Sequence, residues 1–147
     1  MIWAMALSVI LVVMTVLVHY EFLRAIAGLL PHLRMPPHPR ILVVIFGVFL
    51  ALTIEVWLIA GIMYFVGQDS DLGTLKGEHS GAFVDYLYFT ASTYTSVGFG
   101  DVFPDGHLRL MAGVTALVGL VMIGWSASFT YLAMEKFWGE HHRKPRV

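Results

Sequence analysis

The sequence predicts an all-α membrane protein with three membrane-spanning helices and one shorter helix that enters the bilayer without crossing it. The 147 residues are 58% hydrophobic and 13% charged, too few polar residues for the surface of a water-soluble domain. Three apolar stretches are long enough, at about 1.5 Å per residue, to cross a hydrocarbon layer about 30 Å thick. A fourth apolar stretch is too short to cross and runs into a glycine-rich segment.

The three predicted spans are Met1–Val18, Ile41–Val66 and Leu108–Met134. The first lacks the basic start of a secretory signal, so we interpret it as a retained helix. The segment Tyr20–Leu30 either extends this helix or lies on the membrane interface. Pro31 ends that segment, and three further prolines predict a stiff connector before the second span: Pro36, Pro37 and Pro39.

The short apolar stretch Ala82–Thr95 is rich in aromatic and hydroxyl side chains. Its length predicts a re-entrant half-helix, which is tolerated at membrane depth where protein or a water-filled cavity surrounds it. The preceding loop, 67–81, is rich in glycine, serine and aspartate and predicts irregular structure. The chain therefore divides into a span with its connector (1–40), a module of two spans around the half-helix (41–134) and a short tail (135–147).

Positive charge predicts the orientation. The connection 19–40 and the tail carry Arg24, Arg34, Arg40, Arg143, Lys144 and Arg146. The opposite side carries Asp69, Asp71, Glu78, Asp101 and Asp105 against Lys76 and Arg109. Because connections rich in lysine and arginine stay in the cytoplasm, we expect a multi-pass protein of the cell membrane with its N-terminus outside and its C-terminus in the cytoplasm.

The segment Thr95-Ser96-Val97-Gly98-Phe99-Gly100-Asp101, here called the filter segment, follows the half-helix. Glycines at alternate positions reach backbone angles closed to other residues, so successive carbonyls can point the same way. Rings of such carbonyls replace the water shell of a bare cation. With its order of span, loop, half-helix, glycine-rich segment and span, the region 41–134 resembles the pore domain of the potassium channel superfamily.

The resemblance implies a homotetramer in which each chain supplies one quarter of a filter. It implies K⁺ as the permeant ion, the lipid bilayer as the surroundings and no cofactor. The ions would be held by the carbonyls of Ser96, Val97, Gly98 and Phe99 and by the Ser96 hydroxyl. Support for the filter is expected from Thr95, Gly100, Asp101, Tyr88, Phe89 and Ser92.

Two residues depart from the commonest pattern of that superfamily, because Ser96 stands in place of a threonine and Phe99 in place of a tyrosine. Both keep the backbone carbonyl, so we expect selectivity to survive and the stability of the conducting state to differ.

A third departure lies in the half-helix, where Phe89 cannot donate a hydrogen bond to Asp101. Either Tyr88 or Tyr94 would have to supply that bond.

Two residues within the spans are candidates for a functional role. Glu55 lies near the middle of the second span, where a charge costs about 3 kcal/mol unless it faces protein or water. We expect it to brace the half-helix and filter through Ser92, Thr93 or Trp125, or else to be a neutral carboxyl in helix packing.

Gly119, midway along the third span, is either a gating hinge or a site of close helix packing. One face of this span, with Thr115, Gly119, Met122, Ser126 and Thr130, could line a central cavity. The alternative is the face with Leu120, Ile123 and Ala127.

Several classes of protein are excluded or disfavoured. The absence of cysteine excludes disulfides, iron–sulfur clusters and thiolate zinc sites, and the net charge of −1 argues against a nucleic-acid partner. The seven histidines match no metal-site spacing, and His19 is expected on the cytoplasmic side. The sequence contains no recognisable nucleophile–base pair and no phosphate-binding loop, so we do not expect an enzyme. The resemblance favours a potassium-selective channel; the alternatives are a weakly selective cation channel and a non-conducting membrane subunit or scaffold.

Overall fold

The computed structural model describes residues 2–34, 36–68 and 72–142. Helix α1 is Ile2–Leu29, followed by a 3₁₀ turn at Leu30–His32, and α2 is Pro37–Gly67. The remaining elements are β1 (Leu75–Gly77), α3 (Phe83–Tyr94), β2 (Val102–Pro104) and α4 (Leu108–His142). Within these described residues, three helices are long and apolar enough to cross a membrane, over Ile2–His32, Pro39–Gly67 and Leu108–Phe137, which confirms the predicted fold class. Five charged residues used for the orientation lie outside the described residues: Asp69, Asp71, Arg143, Lys144 and Arg146.

Helix α1 is longer than the predicted first span and continues unbroken through the segment Tyr20–Leu30. The reason is packing, because Leu23 and Ile26 of this segment are buried beside Val44 of α2 and Phe137 of α4. The alternative of a helix lying on the membrane interface is therefore wrong, and the segment extends the first helix.

The prolines after α1 also behave differently from the prediction of a connector. Pro37 and Pro39 belong to the first turn of α2, and only Pro36 precedes the helix as its N-cap. The first turn of a helix leaves its backbone N–H groups without partners inside the helix, so proline loses nothing there. The link between α1 and α2 is accordingly shorter than predicted.

The core lies where α3 meets the three long helices. Leu11 of α1, Ile59 and Met63 of α2, Phe89 of α3 and Met111 of α4 are buried together. Helix α1 presents one face to this core, and two polar residues on that face, Ser8 and Thr15, each donate a hydrogen bond of 2.8 Å to a carbonyl one turn earlier. The first span is thus packed against the module of residues 41–134.

The loop before α3 is more ordered than predicted, because Leu75–Gly77 and Val102–Pro104 form a two-stranded antiparallel sheet with Gly77 opposite Val102. The close approach of the two strands requires glycine. Gly77 has φ +104°, and a Cβ built there would overlap the carbonyl oxygen of Asp101. The segment after the filter is thereby attached to the loop that precedes the half-helix.

Candidate functional site

Helix α3 positions the site and has nearly the bounds predicted, since Ala82 is its N-cap and Thr95 its C-cap. Its start is fixed by Asp85, whose carboxylate accepts hydrogen bonds from the Ser80 hydroxyl at 2.7 Å, the Ser80 N–H at 2.8 Å and the Ala82 N–H at 3.0 Å. The bond from the Ser80 side chain is the main reason that the pKa of Asp85 lies below its ordinary value. Helix α3 therefore begins at a fixed place in the loop.

The backbone of the filter segment alternates in hand. Ser96, Gly98 and Gly100 have φ values of +60°, +56° and +85°, in the left-handed region. Alternation of this kind turns successive carbonyls towards one side, as the two glycines predict. Ser96 is the exception to glycine, and a left-handed serine is strained by about 1–2 kcal/mol. That strain was not predicted from the sequence.

The inner part of the filter segment is anchored to the end of α3. The carbonyl of Ser92 accepts hydrogen bonds from the N–H groups of Val97 at 2.9 Å and Gly98 at 3.1 Å, and the Thr93 carbonyl accepts one from Ser96 at 3.0 Å. The backbone N–H groups therefore face the helix.

The carbonyls of the filter segment have no such partners. Among the described residues, no group donates a hydrogen bond to the carbonyl oxygens of Ser96, Val97, Gly98 or Phe99. Residues 95–101 are exposed in the single chain, with Val97 57% and Phe99 68% accessible. Four backbone acceptors are thus available to a ligand on the outer surface of one chain.

Three of the residues expected to support the filter lie near the C-terminal end of α3: Phe89, Ser92 and Thr95. The Thr95 hydroxyl donates to the Ala91 carbonyl at 2.8 Å, and the Ser92 hydroxyl donates to the Phe89 carbonyl at 3.0 Å. Phe89 itself is buried in the core. These side chains therefore stabilise the end of α3, and the two hydroxyl groups donate their hydrogen bonds within it.

The outer part of the segment is held by Tyr88. Its hydroxyl donates a hydrogen bond of 2.8 Å to Asp101, and its ring stacks on Phe99 with centroids 5.9 Å apart and planes 8° from parallel. Of the two tyrosines proposed for the bond to Asp101, the structure selects Tyr88. The Asp101 carbonyl also accepts a hydrogen bond of 3.2 Å from the N–H of Glu78, which ties the end of the segment to the loop after β1.

Tyr94 takes part in a different contact, behind the filter segment. Its hydroxyl donates to Glu55 Oε2 at 2.6 Å, and Glu55 Oε1 lies 2.7 Å from Nδ1 of His19. The expected partners of Glu55 were Ser92, Thr93 or Trp125, and that expectation is wrong. Glu55 reaches the half-helix through Tyr94 and reaches α1 through His19, and both side chains of the His19–Glu55 pair are fully buried.

His19 lies in the buried face of α1 rather than in a connection between helices, and its expected cytoplasmic side stays a prediction. Its Nε2 is 3.2 Å from the Ser126 hydroxyl of α4, and its ring is 5.3 Å from that of Trp125. Ser126, His19 and Glu55 follow the order hydroxyl, imidazole, carboxylate of a nucleophilic triad. With Ser126 only 4% exposed, a substrate has no access to its oxygen. The arrangement joins helices and is here called the buried hydrogen-bond network, Ser126–His19–Glu55–Tyr94.

Gly119 lies where α4 crosses the end of α3. A Cβ built at this position would overlap the carbonyl oxygen of Tyr94, so the glycine permits a close helix crossing. Helix α4 continues through Gly119 without a break. The close packing is observed, and the hinge stays a prediction.

The same crossing decides between the two faces of α4. Thr115, Gly119, Met122 and Ser126 are buried against the rest of the chain and Thr130 is half-buried, whereas Leu120, Ile123 and Ala127 are exposed. The first face cannot line a cavity between chains, and the second is open to do so.

The region from α2 to α4 is similar to a known protein family. A family model described as an ion channel matches residues 40–136, about two-thirds of the chain and the region from α2 to α4. No match was found among curated proteins or among solved structures. The matched region contains both spans, the half-helix and the filter segment described above. The chain belongs to this ion channel family, that of the two-helix, potassium-channel-type pore domain.

Proposed function

We propose that the protein is a potassium-selective channel formed by four copies of the chain, conducting K⁺ passively across the cell membrane. The observation that carries this proposal is the alternation of left-handed residues at Ser96, Gly98 and Gly100, beside four carbonyls without partners. Such carbonyls replace the hydration shell of K⁺ when several copies surround one axis.

The depth of the filter segment supports an assembly of several chains. The end of α3 touches α4 at Gly119, about 16 Å along α4 from its start at Leu108. That is about half of a hydrocarbon layer of about 30 Å. Open carbonyls at this depth need protein, ions or water around them, because lipid offers no donor. One chain leaves them exposed, so copies of the chain would enclose a wet path along them.

The charge at this depth also favours a cation. The C-terminus of α3 carries about half a negative charge and lies beside the innermost carbonyls. The exposed face of α4, with Leu120, Ile123 and Ala127, would line the cavity below. We place the N-terminus outside and the C-terminus in the cytoplasm from the charges of the connections.

We also propose that the buried hydrogen-bond network braces the filter. It connects Ser126 of α4 and His19 of α1 to Glu55 of α2 and, through Tyr94, to the last turn of α3. The same last turn supplies the carbonyls of Ser92 and Thr93 that anchor the filter segment. Holding Tyr94 therefore holds the inner part of the filter.

The test of the proposed function is ion flux into liposomes that contain the purified full-length chain. We expect K⁺ flux with little Na⁺ flux, and a particle mass in detergent that corresponds to four chains. Gly98→Ala is the control. Apart from the two residues next to it in sequence, no atom of the described residues lies within 4 Å of a Cβ built at Gly98, so the added methyl group causes no clash within one chain. The variant acts through the left-handed backbone at Gly98 and should abolish selective flux.

Each other outcome contradicts a particular part of the proposal. Equal K⁺ and Na⁺ flux would indicate a weakly selective cation channel. Absence of flux from a correctly folded tetramer would indicate a non-conducting subunit or scaffold. A stable monomer or dimer would contradict a four-fold filter.

A further inference from the structure

A groove opens on the side of the bundle, between the end of α1 and the end of α4. It has a volume of about 390 Å³. Its apolar walls include Ala27 of α1 and Phe129, Leu132 and Ala133 of α4, and its charged residues are Arg40 and Lys136. We call it the inner groove. Both charges are positive, so the groove is complementary to a ligand with an apolar part and an anionic part.

The inner groove lies at the level where all three spans end. The spans run to His32 in α1, begin at Pro39 in α2 and end at Phe137 in α4. Arg40 and Lys136 are each next to one of these boundaries. A groove at this depth is reached from the bilayer by an acyl chain and from the headgroup layer by a phosphate.

Arg40 is held in place yet lacks an anionic partner. Its Nη2 donates a hydrogen bond of 3.1 Å to the Leu33 carbonyl, and its guanidinium carbon lies 5.9 Å from the centre of the Phe137 ring. Among the described side chains, no carboxylate lies within 4.0 Å of Arg40, and its Nε is buried without a hydrogen-bond partner. Buried donors are ordinarily paired, so this Nε is a second sign that a ligand oxygen belongs nearby.

We propose that the inner groove binds an anionic phospholipid. The phosphate lies against Arg40 and Lys136, because a planar guanidinium pairs with two phosphate oxygens along one edge. An acyl chain lies along Phe129, Leu132 and Ala133. Basic pockets between helices at the membrane surface suit this class of lipid, and the apolar wall distinguishes it from free phosphate. Because α1 supplies part of the wall, the site joins the first span to the pore module.

The experiment uses the purified full-length protein in nanodiscs of phosphatidylglycerol mixed with phosphatidylcholine. Lipid that remains bound after transfer to detergent is counted by native mass spectrometry. We expect about one phosphatidylglycerol per chain, retained in preference to phosphatidylcholine. Lys136→Gln should weaken retention about fivefold, the effect of one basic residue near a charged surface. Arg40→Gln should abolish it.

The matched control is Arg24→Gln, which removes the same charge from an exposed residue of α1 that pairs with Glu21 and does not line the groove. Arg40→Gln also removes the bond to Leu33, so its helical content is checked by circular dichroism, and Lys136→Gln provides the result if Arg40→Gln does not fold. Equal retention of both lipids, or equal loss in the Arg24 and Lys136 variants, would overturn the proposal. Displacement by soluble glycerol phosphate would show that only the phosphate is recognised. Absence of bound lipid would show that another surface, such as a second copy of the chain, covers the groove.

Discussion

Removal of one hydroxyl group tests the brace behind the filter. In Tyr94→Phe the ring stays in place and Glu55 Oε2 loses its hydrogen bond of 2.6 Å. Tyr94 is 1% and Glu55 0% exposed, so water does not replace the lost donor. Leaving one buried polar group without its partner costs about 1–3 kcal/mol.

That energy converts into a measurable change in channel behaviour. If the unfavourable energy applies to the conducting arrangement and is relieved when the filter rearranges, the ratio of conducting to non-conducting channels falls about 5- to 150-fold. Single-channel recording in planar bilayers measures this ratio directly. The control is Tyr131→Phe on α4, which removes a hydroxyl from a side chain that is 67% exposed.

A double-mutant cycle separates the brace from general packing. Glu55→Gln and Tyr94→Phe should be non-additive by about 0.5–3 kcal/mol, because both changes act on one hydrogen bond. Additive effects, or a Tyr94→Phe channel that behaves like the Tyr131→Phe control, would refute the reasoning. A Glu55→Gln channel that conducts and inactivates like the parent would contradict the brace as well.

Two further variants test other contacts of α3. Gly119→Ala forces α4 away from the Tyr94 carbonyl and should lower the free energy of unfolding of the assembled protein by about 1–3 kcal/mol, as measured by chemical denaturation. The control is Gly124→Ala, which has open space around its Cβ and should leave stability unchanged or increase it. Equal effects of the two variants would contradict the close crossing. Asp85 has a pKa below 3.8, so its contribution is present above pH 3.8 and is lost as the pH falls through the lowered value. Asp85→Asn should therefore lower the melting temperature at pH 5. The melting temperature of this variant should also change less between pH 5 and pH 3 than that of the parent protein. If the melting temperatures of variant and parent fell in parallel over this range, the role of Asp85 in fixing the start of α3 would be refuted.

Local features of the chain were predictable from the sequence. The half-helix is recognisable because an apolar, hydroxyl-rich stretch too short to span the membrane runs directly into alternating glycines. The left-handed backbone at Gly98 and Gly100 is one that glycine adopts without a steric penalty. The same rule does not find Ser96, which is left-handed without being a glycine and whose N–H donates a hydrogen bond to the Thr93 carbonyl.

Contacts between helices were not predictable in the same way. His19 and Glu55 are 36 residues apart on different helices, and their meeting depends on the rotation of α1 against α2. The apolar stretch ends before His19, so its burial became clear only from the packing of the longer α1. Strands of three residues, such as β1, carry no periodic signal, and their pairing depends on the backbone approach at Gly77.

The crossing at Gly119 limits how α4 can move. Because the α4 backbone contacts the Tyr94 carbonyl with no side chain between them, displacement of α4 at this level also displaces the last turn of α3. A second link lies at Ser126, which is joined to Tyr94 of the half-helix through His19 and Glu55. Under the proposed function, movement of α4 at Gly119 or Ser126 would change the cavity and the filter together, whereas movement beyond Ser126 would change the cavity without displacing the half-helix.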